Sequence, residues 1–121
     1  MANTKREMGD KGEVIAAEYL KRKGYVIIDT NWHCTYGELD IIARQENTLV
    51  FVEVKTTRST TSEYAFANIT TKKRERLIAS AHTYLDEQGL RDALWRIDAI
   101  AIMLRHGMAP QIEHVEDALG W

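Results

Sequence analysis

The stretch from residue 37 to residue 55, GELDIIARQENTLVFVEVK, constrains the fold more than any other part of the chain. It holds two apolar runs separated by the polar segment QENT, which is the pattern of a β-hairpin. Both runs are apolar at nearly every position, as is typical of strands buried on both faces of a sheet. Yet Asp40 lies in the first run, and Glu53 and Lys55 lie in the second. Because charged side chains are rarely buried without partners, this stretch needs a structural or chemical reason for its charges.

The other segments predict an α/β domain in the order α-β-β-β-α-β-β. A helix is predicted over KGEVIAAEYLKRK, with Asp10 as N-cap and Gly24 just past its end. The strand YVIID follows, and NWHCTY is predicted as a loop or bend before the hairpin. A polar loop over residues 56–68 leads to a second helix with Thr70 or Thr71 as its N-cap. LWRIDAIAIML is predicted as a strand, and QIEHVEDAL as a final strand or short helix.

Length and composition indicate a single domain over residues 1–121, long enough to bury a core without disulfides. Cys34 is the only cysteine, which excludes an internal disulfide and a CxxC zinc site. No apolar run approaches the ~18 residues of a membrane span, and the first residues lack the apolar core of a signal peptide. We therefore expect a cytoplasmic protein without a membrane partner.

The geometry of the hairpin suggests a reason for the charges. If the chain turns at Glu46 and Asn47, Asp40 faces Glu53 across the two strands. Facing residues have Cβ atoms ~4.5–5.5 Å apart, and two carboxylates at about 5 Å repel by roughly 3 kcal/mol at an effective dielectric constant of 20. A divalent cation would offset this repulsion, and Mg²⁺ takes carboxylate, water and phosphate oxygens as ligands.

This reasoning makes Asp40 and Glu53 candidate metal ligands. Lys55 projects from the same end of the hairpin, where its ammonium could orient or help deprotonate an attacking water, or neutralise charge in the transition state. Chemistry of this kind would cut a phosphodiester. The alternative is a cluster of cross-strand salt bridges, in which Glu38 pairs with Lys55 and Asp40 pairs with an arginine.

The first helix and the basic residues extend the candidate site. Glu13 could join the metal site, but Asp10 and Glu13 also have the spacing of a capping box. Four basic residues are candidate phosphate contacts: Arg58, Lys72, Lys73 and Arg76. Solvated surface is the alternative for them, and the net charge of −2 argues weakly against a nucleic-acid partner.

The segments KGEVIAAEYL, GYVIIDTNW, GELDIIA, FVEVKT and RIDAIAI resemble the bacterial YraN-like family over about residues 9–104. That family is similar to the PD-(D/E)xK restriction-endonuclease-like superfamily, and distantly to archaeal-type Holliday junction resolvases. The resemblance implies a restriction-endonuclease-like mixed β-sheet flanked by helices, often in a homodimer. It also implies an endonuclease that uses Mg²⁺, or Mn²⁺ in its place, to hydrolyse branched or structured DNA.

By position, the resemblance makes Asp40 and Glu53 the metal ligands, Lys55 the catalytic lysine and Glu13 the acidic residue of the helix. The chain departs from the superfamily pattern at Leu39, where a proline usually precedes the aspartate. It departs again at residues 32–34, Trp-His-Cys, where an arginine is expected. A non-catalytic nucleic-acid-binding or protein-interaction module that has kept the fold is therefore the alternative function.

Overall fold

The computed structural model describes residues 4–59, 61–67 and 69–119. The chain forms helix α1 (Lys5–Arg22), strands β1 (Val26–Cys34), β2 (Gly37–Gln45) and β3 (Thr48–Thr57), the short helix α2 (Glu63–Phe66), helix α3 (Thr71–Glu87), and strands β4 (Leu94–Met103) and β5 (Gln111–Val115). The predicted architecture, a mixed sheet flanked by helices, is confirmed. The short helix α2 is an addition to the predicted order, within the segment expected to be a loop.

The strands form one five-stranded sheet in the order β1-β2-β3-β4-β5. All neighbouring strands run antiparallel except β3 and β4, which are parallel. A parallel pair needs a crossover connection, and α3 lies in the segment that joins these two strands.

The predicted hairpin register is confirmed. Gln45 pairs with Thr48 at the turn, and Ile41 pairs with Val52 further along. Glu46 in the turn has φ of 53°, in the left-handed region. Continued by one residue beyond Ile41 and Val52, this register sets Asp40 opposite Glu53.

Helices cover both faces of the sheet and create two apolar layers. On the α1 side, Ala16 and Leu20 pack with buried residues of the central strands, among them Val52 and Ile100. On the α3 side, Leu77 and Tyr84 pack with a second set that includes Phe51, Ile97 and Ile42. Because both faces are covered, β2 is buried over residues 41–43 and β3 over residues 49–54, within the apolar runs of the hairpin.

The prediction that α1 begins at Asp10 is wrong. The helix begins at Lys5, and the Thr4 hydroxyl caps it by accepting a hydrogen bond from the Glu7 amide. Asp10 is thus inside the helix, so the capping-box explanation for Glu13 is wrong as well. The glycines at positions 9 and 12 hid the first turns, because glycine is a weak helix former. Tertiary packing overrides that weakness at Gly12, where a Cβ atom would lie 1.8 Å from the Thr56 hydroxyl oxygen of β3.

Two loop predictions also need correction. The segment NWHC is not a bend but the end of β1, where Trp32 pairs with Leu39 and Cys34 with Gly37. The predicted polar loop over residues 56–68 includes the end of β3 and helix α2, with Ser62 and Ala65 buried. Thr60 and Asn68 of that segment lie outside the described residues.

Both long helices end as predicted. Gly24 follows α1 with φ of 91°, and Gly89 follows α3 with φ of 67°; glycine adopts these left-handed angles without strain. Thr70 caps α3 by accepting a hydrogen bond from the Lys73 amide. Within the described part of the chain, no helix is both long and apolar enough to cross a membrane.

Candidate active site

Three carboxylates from two elements meet at one end of the sheet. Each of Glu13 on α1, and Glu38 and Asp40 on β2, offers a carboxylate oxygen within 4.8 Å of the others. The close approach of α1 to β3 at Gly12 and Thr56 fixes the helix beside the sheet one residue before Glu13. The sequence therefore uses a glycine to bring the Glu13 carboxylate within reach of the hairpin.

Asp40 lies at the centre of this acidic group. Its Oδ2 accepts a hydrogen bond of 2.9 Å from the Val54 amide, which holds the side chain against β3. Burial and the nearby charge of Glu53 raise the pKa of Asp40 to about 8, although the Val54 amide works in the opposite direction. Asp40 has no arginine partner among its described contacts, so the predicted Asp40–arginine bridge is not found.

Glu53 is the most buried acid of the candidate site, at 3% exposure. Its Oε1 lies 3.5 Å from Lys55 Nζ and 3.2 Å from Lys73 Nζ. Its Oε2 is buried and has no hydrogen-bond partner among the described residues. Lys55 thus pairs with Glu53 two residues before it, rather than with Glu38 as the salt-bridge alternative predicted.

Asn31 links the acids of α1 and β2. It follows Thr30 in β1 and has φ of 53°. With the amide nitrogen turned toward the carboxylates, it donates to Glu38 Oε1 and Glu13 Oε2, both at 2.9 Å. Burial and the charge of Glu38 raise the pKa of Glu13, and this hydrogen bond from Asn31 partly offsets them. Neither Asn31 nor Glu38 was predicted as a site residue.

The predicted basic residues occupy different surroundings. The Lys73 ammonium contacts the Glu53 carboxylate, whereas Lys72 and Arg76 are exposed on the first turns of α3. Arg76 lies beside the start of β2, its Cβ 4.0 Å from the position that a Cβ on Gly37 would occupy. Arg58 follows β3, and its Nε contacts Met8 Sδ of α1 at 3.1 Å. Of these four residues, Lys73 is the one that the structure shows in contact with an acid of the candidate site.

A second polar cluster surrounds Asp98, which is fully buried. Arg96 Nε, His114 Nε2 and the Asp117 amide contact its carboxylate at 2.9, 2.7 and 3.0 Å. Tyr19 of α1 extends the cluster through a contact of 3.1 Å with His114 Nδ1. Asp98 thus pairs with Arg96 two residues before it on β4, and the side chain of His114 is only 4% exposed. Its position in a short polar strand gave no signal of burial.

The donor set at the sheet end fits a divalent cation. Oxygen atoms of carboxylates are the ligands that Mg²⁺ prefers, and Glu53 offers a buried oxygen that no described residue satisfies. Mutual repulsion among Asp40, Glu53 and Glu13 would fall if a cation were held between them. Glu13, Glu38 and Asp40 would offer the oxygens that lie within 4.8 Å of one another, and the unpartnered Oε2 of Glu53, whose charge acts on Asp40, would be the fourth donor.

Comparison with known proteins places most of the chain in one family. The profile of the group described as "Uncharacterised protein family UPF0102" matches residues 12–102. A UPF0102 protein of Chloroflexus aurantiacus is 43% identical, over 99% of this chain and 98% of its own length. Another from Herpetosiphon aurantiacus is 43% identical, over 96% of both chains. A third, from Geotalea uraniireducens, is 42% identical over 93% of this chain and 89% of its own.

Proposed function

This chain belongs to the UPF0102 family, and we propose that it is a Mg²⁺-dependent endonuclease acting on branched or structured DNA. The observation that carries the proposal is that carboxylate oxygens of Glu13 and Asp40 lie within 4.8 Å of each other, with the charge of Glu53 acting on Asp40 and with Lys55 beside Glu53. This is the set of side chains that the restriction-endonuclease-like resemblance implies.

Each residue of the set has a role that its surroundings support. A bound Mg²⁺ would supply Lewis acidity toward a phosphate and lower the pKa of a water. Asp40 is held in place by the Val54 amide, so its free oxygen keeps a fixed direction for ligation. Lys55 lies on the same strand as Glu53 and can place a proton donor or a positive charge next to the attacked phosphate. Lys72, Arg76 and Arg58 supply positive charge for neighbouring phosphates.

A non-catalytic binding module is the second candidate function. Two ammonium groups already contact Glu53 Oε1, so part of the buried negative charge is compensated within the protein. If that compensation were sufficient, the acids would be structural and the basic residues of α3 would bind nucleic acid or a protein without cleavage.

Calorimetric titration with Mg²⁺ and with Mn²⁺ tests the proposal, on the wild type and on Glu53→Gln. The substitution keeps the shape of the side chain and removes its charge. A four-way junction and a flapped duplex are incubated with each protein in parallel. Glu87→Gln, at the exposed end of α3, is the matched control.

We expect metal binding and cleavage in the wild type and in the control, and loss of both in Glu53→Gln. Metal binding without cleavage of either substrate would retain the metal site and redirect the search to other nucleic acids. Absence of metal binding in the wild type, with DNA present, would replace the nuclease with the binding module.

A further inference from the structure

Two lysines share one oxygen of a buried carboxylate. Lys73 Nζ lies 3.2 Å and Lys55 Nζ 3.5 Å from Glu53 Oε1, while Oε2 has no described partner. Both ammonium groups thus compensate the same carboxylate oxygen. The second ammonium at the same oxygen is therefore available for another negative group if a cation takes its place.

The two lysines differ in how firmly the fold holds them. Lys55 is on the same strand as Glu53, two residues further on, so β3 itself keeps the two side chains together. Lys73 comes from a different element, the first turn of α3, and its side chain is 37% exposed. A lysine has a flexible stem and a strongly hydrated ammonium, so Lys73 can leave Glu53 for solvent without moving the backbone.

The backbone amide of Lys73 already has a hydrogen-bond partner. Its amide donates to the hydroxyl of Thr70, the N-cap of α3. A negative group that approaches this turn would accordingly meet the Lys73 side chain rather than its amide. Lys72 and Arg76 are exposed on the same turns and add positive charge around it.

We infer that Lys73 is an exchangeable counterion: it holds Glu53 in the cation-free protein, is displaced when a divalent cation binds, and then contacts a backbone phosphate of the nucleic acid. The inference rests on the proposed function, because the exchange needs a cation at Glu53. Lys73 would thereby make phosphate binding at this turn dependent on the metal, since only the loaded site releases its ammonium.

The test compares Lys73→Met with Lys72→Met, which removes an exposed charge from the adjacent position. Mg²⁺ affinity is measured by calorimetry without DNA. Removing the competing ammonium should tighten Mg²⁺ binding by up to about fivefold in Lys73→Met. Lys72→Met and Lys73→Arg, which keeps the charge, should stay within about twofold of the wild type.

A second readout is the salt dependence of junction binding, with Ca²⁺ as the divalent cation and with a chelator. Loss of one phosphate contact reduces the slope of log K against log salt by about 1. We expect that reduction in Lys73→Met only when Ca²⁺ is present, whereas any effect of Lys72→Met should be equal in both conditions.

Equal or weaker Mg²⁺ affinity in Lys73→Met would overturn the counterion role while leaving the metal site intact. A slope reduced equally with and without Ca²⁺ would overturn the exchange and make Lys73 a permanent phosphate contact. No Mg²⁺ binding by the wild type would overturn this inference together with the proposed function.

Discussion

At the scale of single residues, Asp40 shows that the candidate site is destabilising in the absence of a cation. Burial and the charge of Glu53 raise its pKa to about 8, whereas an unfolded aspartate titrates near 3.9. The folded state therefore binds more protons than the unfolded state between about pH 4 and pH 8. By linkage, this group makes stability fall as the pH rises through that window.

Replacing Asp40 with Asn should remove this loss of stability at high pH, because asparagine does not ionise. In chelator-containing buffer at pH 8, we expect Asp40→Asn to melt several degrees above the wild type, since ~1 kcal/mol shifts Tm by about 4 °C in a domain of this size. The difference should shrink toward pH 4. Asp92→Asn, an exposed acid in the segment before β4, is the control. A melting temperature below that of the wild type at pH 8 would mean that the carboxylate is a structural partner.

Asn31 contacts two acids of the candidate site but carries no charge. Its substitution therefore changes the positions of these acids without changing the charge of the site. Its amide donates to Glu13 and Glu38, so Asn31→Ala would leave both carboxylates free to move apart. Removing such a hydrogen bond to a metal-binding group typically weakens metal binding by about 10–100-fold. Calorimetry with Mg²⁺ checks this, with Gln111→Ala on β5 as the control. Unchanged Mg²⁺ affinity in Asn31→Ala would remove Asn31 from the site.

At the scale of elements, the position of α1 on β3 depends on one missing side chain. A Cβ at Gly12 would meet the Thr56 hydroxyl at 1.8 Å, whereas a Cβ at Gly9 would meet nothing within 4 Å. A glycine-to-alanine substitution should therefore change the stability of the protein in opposite directions at these two positions of α1. Gly9→Ala should stabilise the protein by up to ~1 kcal/mol through helix propensity. Gly12→Ala should destabilise it by about 1–3 kcal/mol through overpacking.

Urea unfolding measures both effects, and Mg²⁺ titration adds the functional consequence. Because a displaced α1 carries Glu13 away from Asp40, Gly12→Ala should also weaken metal binding, and Gly9→Ala should not. Equal stability of the two variants would contradict the close contact between α1 and β3.

Sequence reasoning succeeded for elements whose signals are local and failed where distant segments decide the structure. The hairpin register and the ends of both long helices followed from apolar runs and glycines. The length of β1 did not, because pairing with β2 sets it, and the start of α1 was missed because Gly9 and Gly12 obscured the local cap at Thr4. Asp40 and Glu53 could be predicted because they are neighbours across one hairpin. Glu53 pairs with Lys73 of α3, and Glu13 pairs with Asn31 of β1. These partners lie in other elements, so no periodic pattern in the sequence predicts the contacts.

At the scale of the whole molecule, the Asp98 cluster joins the C-terminal part of the chain to α1. Burial alone would raise the pKa of Asp98, but hydrogen bonds from His114, Arg96 and the Asp117 amide outweigh it and lower the pKa. The depressed pKa means that this carboxylate contributes stability above its unfolded pKa, near 3.9, and loses it as the pH falls through the folded value.

Asp98→Asn should destabilise the protein by about 3 kcal/mol, because it leaves the partly buried Arg96 without its main counter-charge. Because the pKa of Asp98 is lowered in the folded state, the unfolding free energy of Asp98→Asn should also depend less on pH below about pH 4 than that of the wild type. Urea unfolding across that range measures both. Asp86→Asn breaks a surface pair with Arg91 and should cost less than ~1 kcal/mol. If Asp98→Asn lowers the unfolding free energy no more than Asp86→Asn does, the Asp98 cluster does not stabilise the fold.

The hairpin of β2 and β3 also has a kinetic consequence. A hairpin closed by a short turn forms in about 1–10 μs, whereas β3 can pair with β4 only after the crossover through α3. We therefore expect Asp40 and Glu53 to approach each other, with Lys55 alone to offset their charge, before Lys73 on α3 joins them. A divalent cation would meet this unbalanced pair early, so it should accelerate refolding more than it slows unfolding.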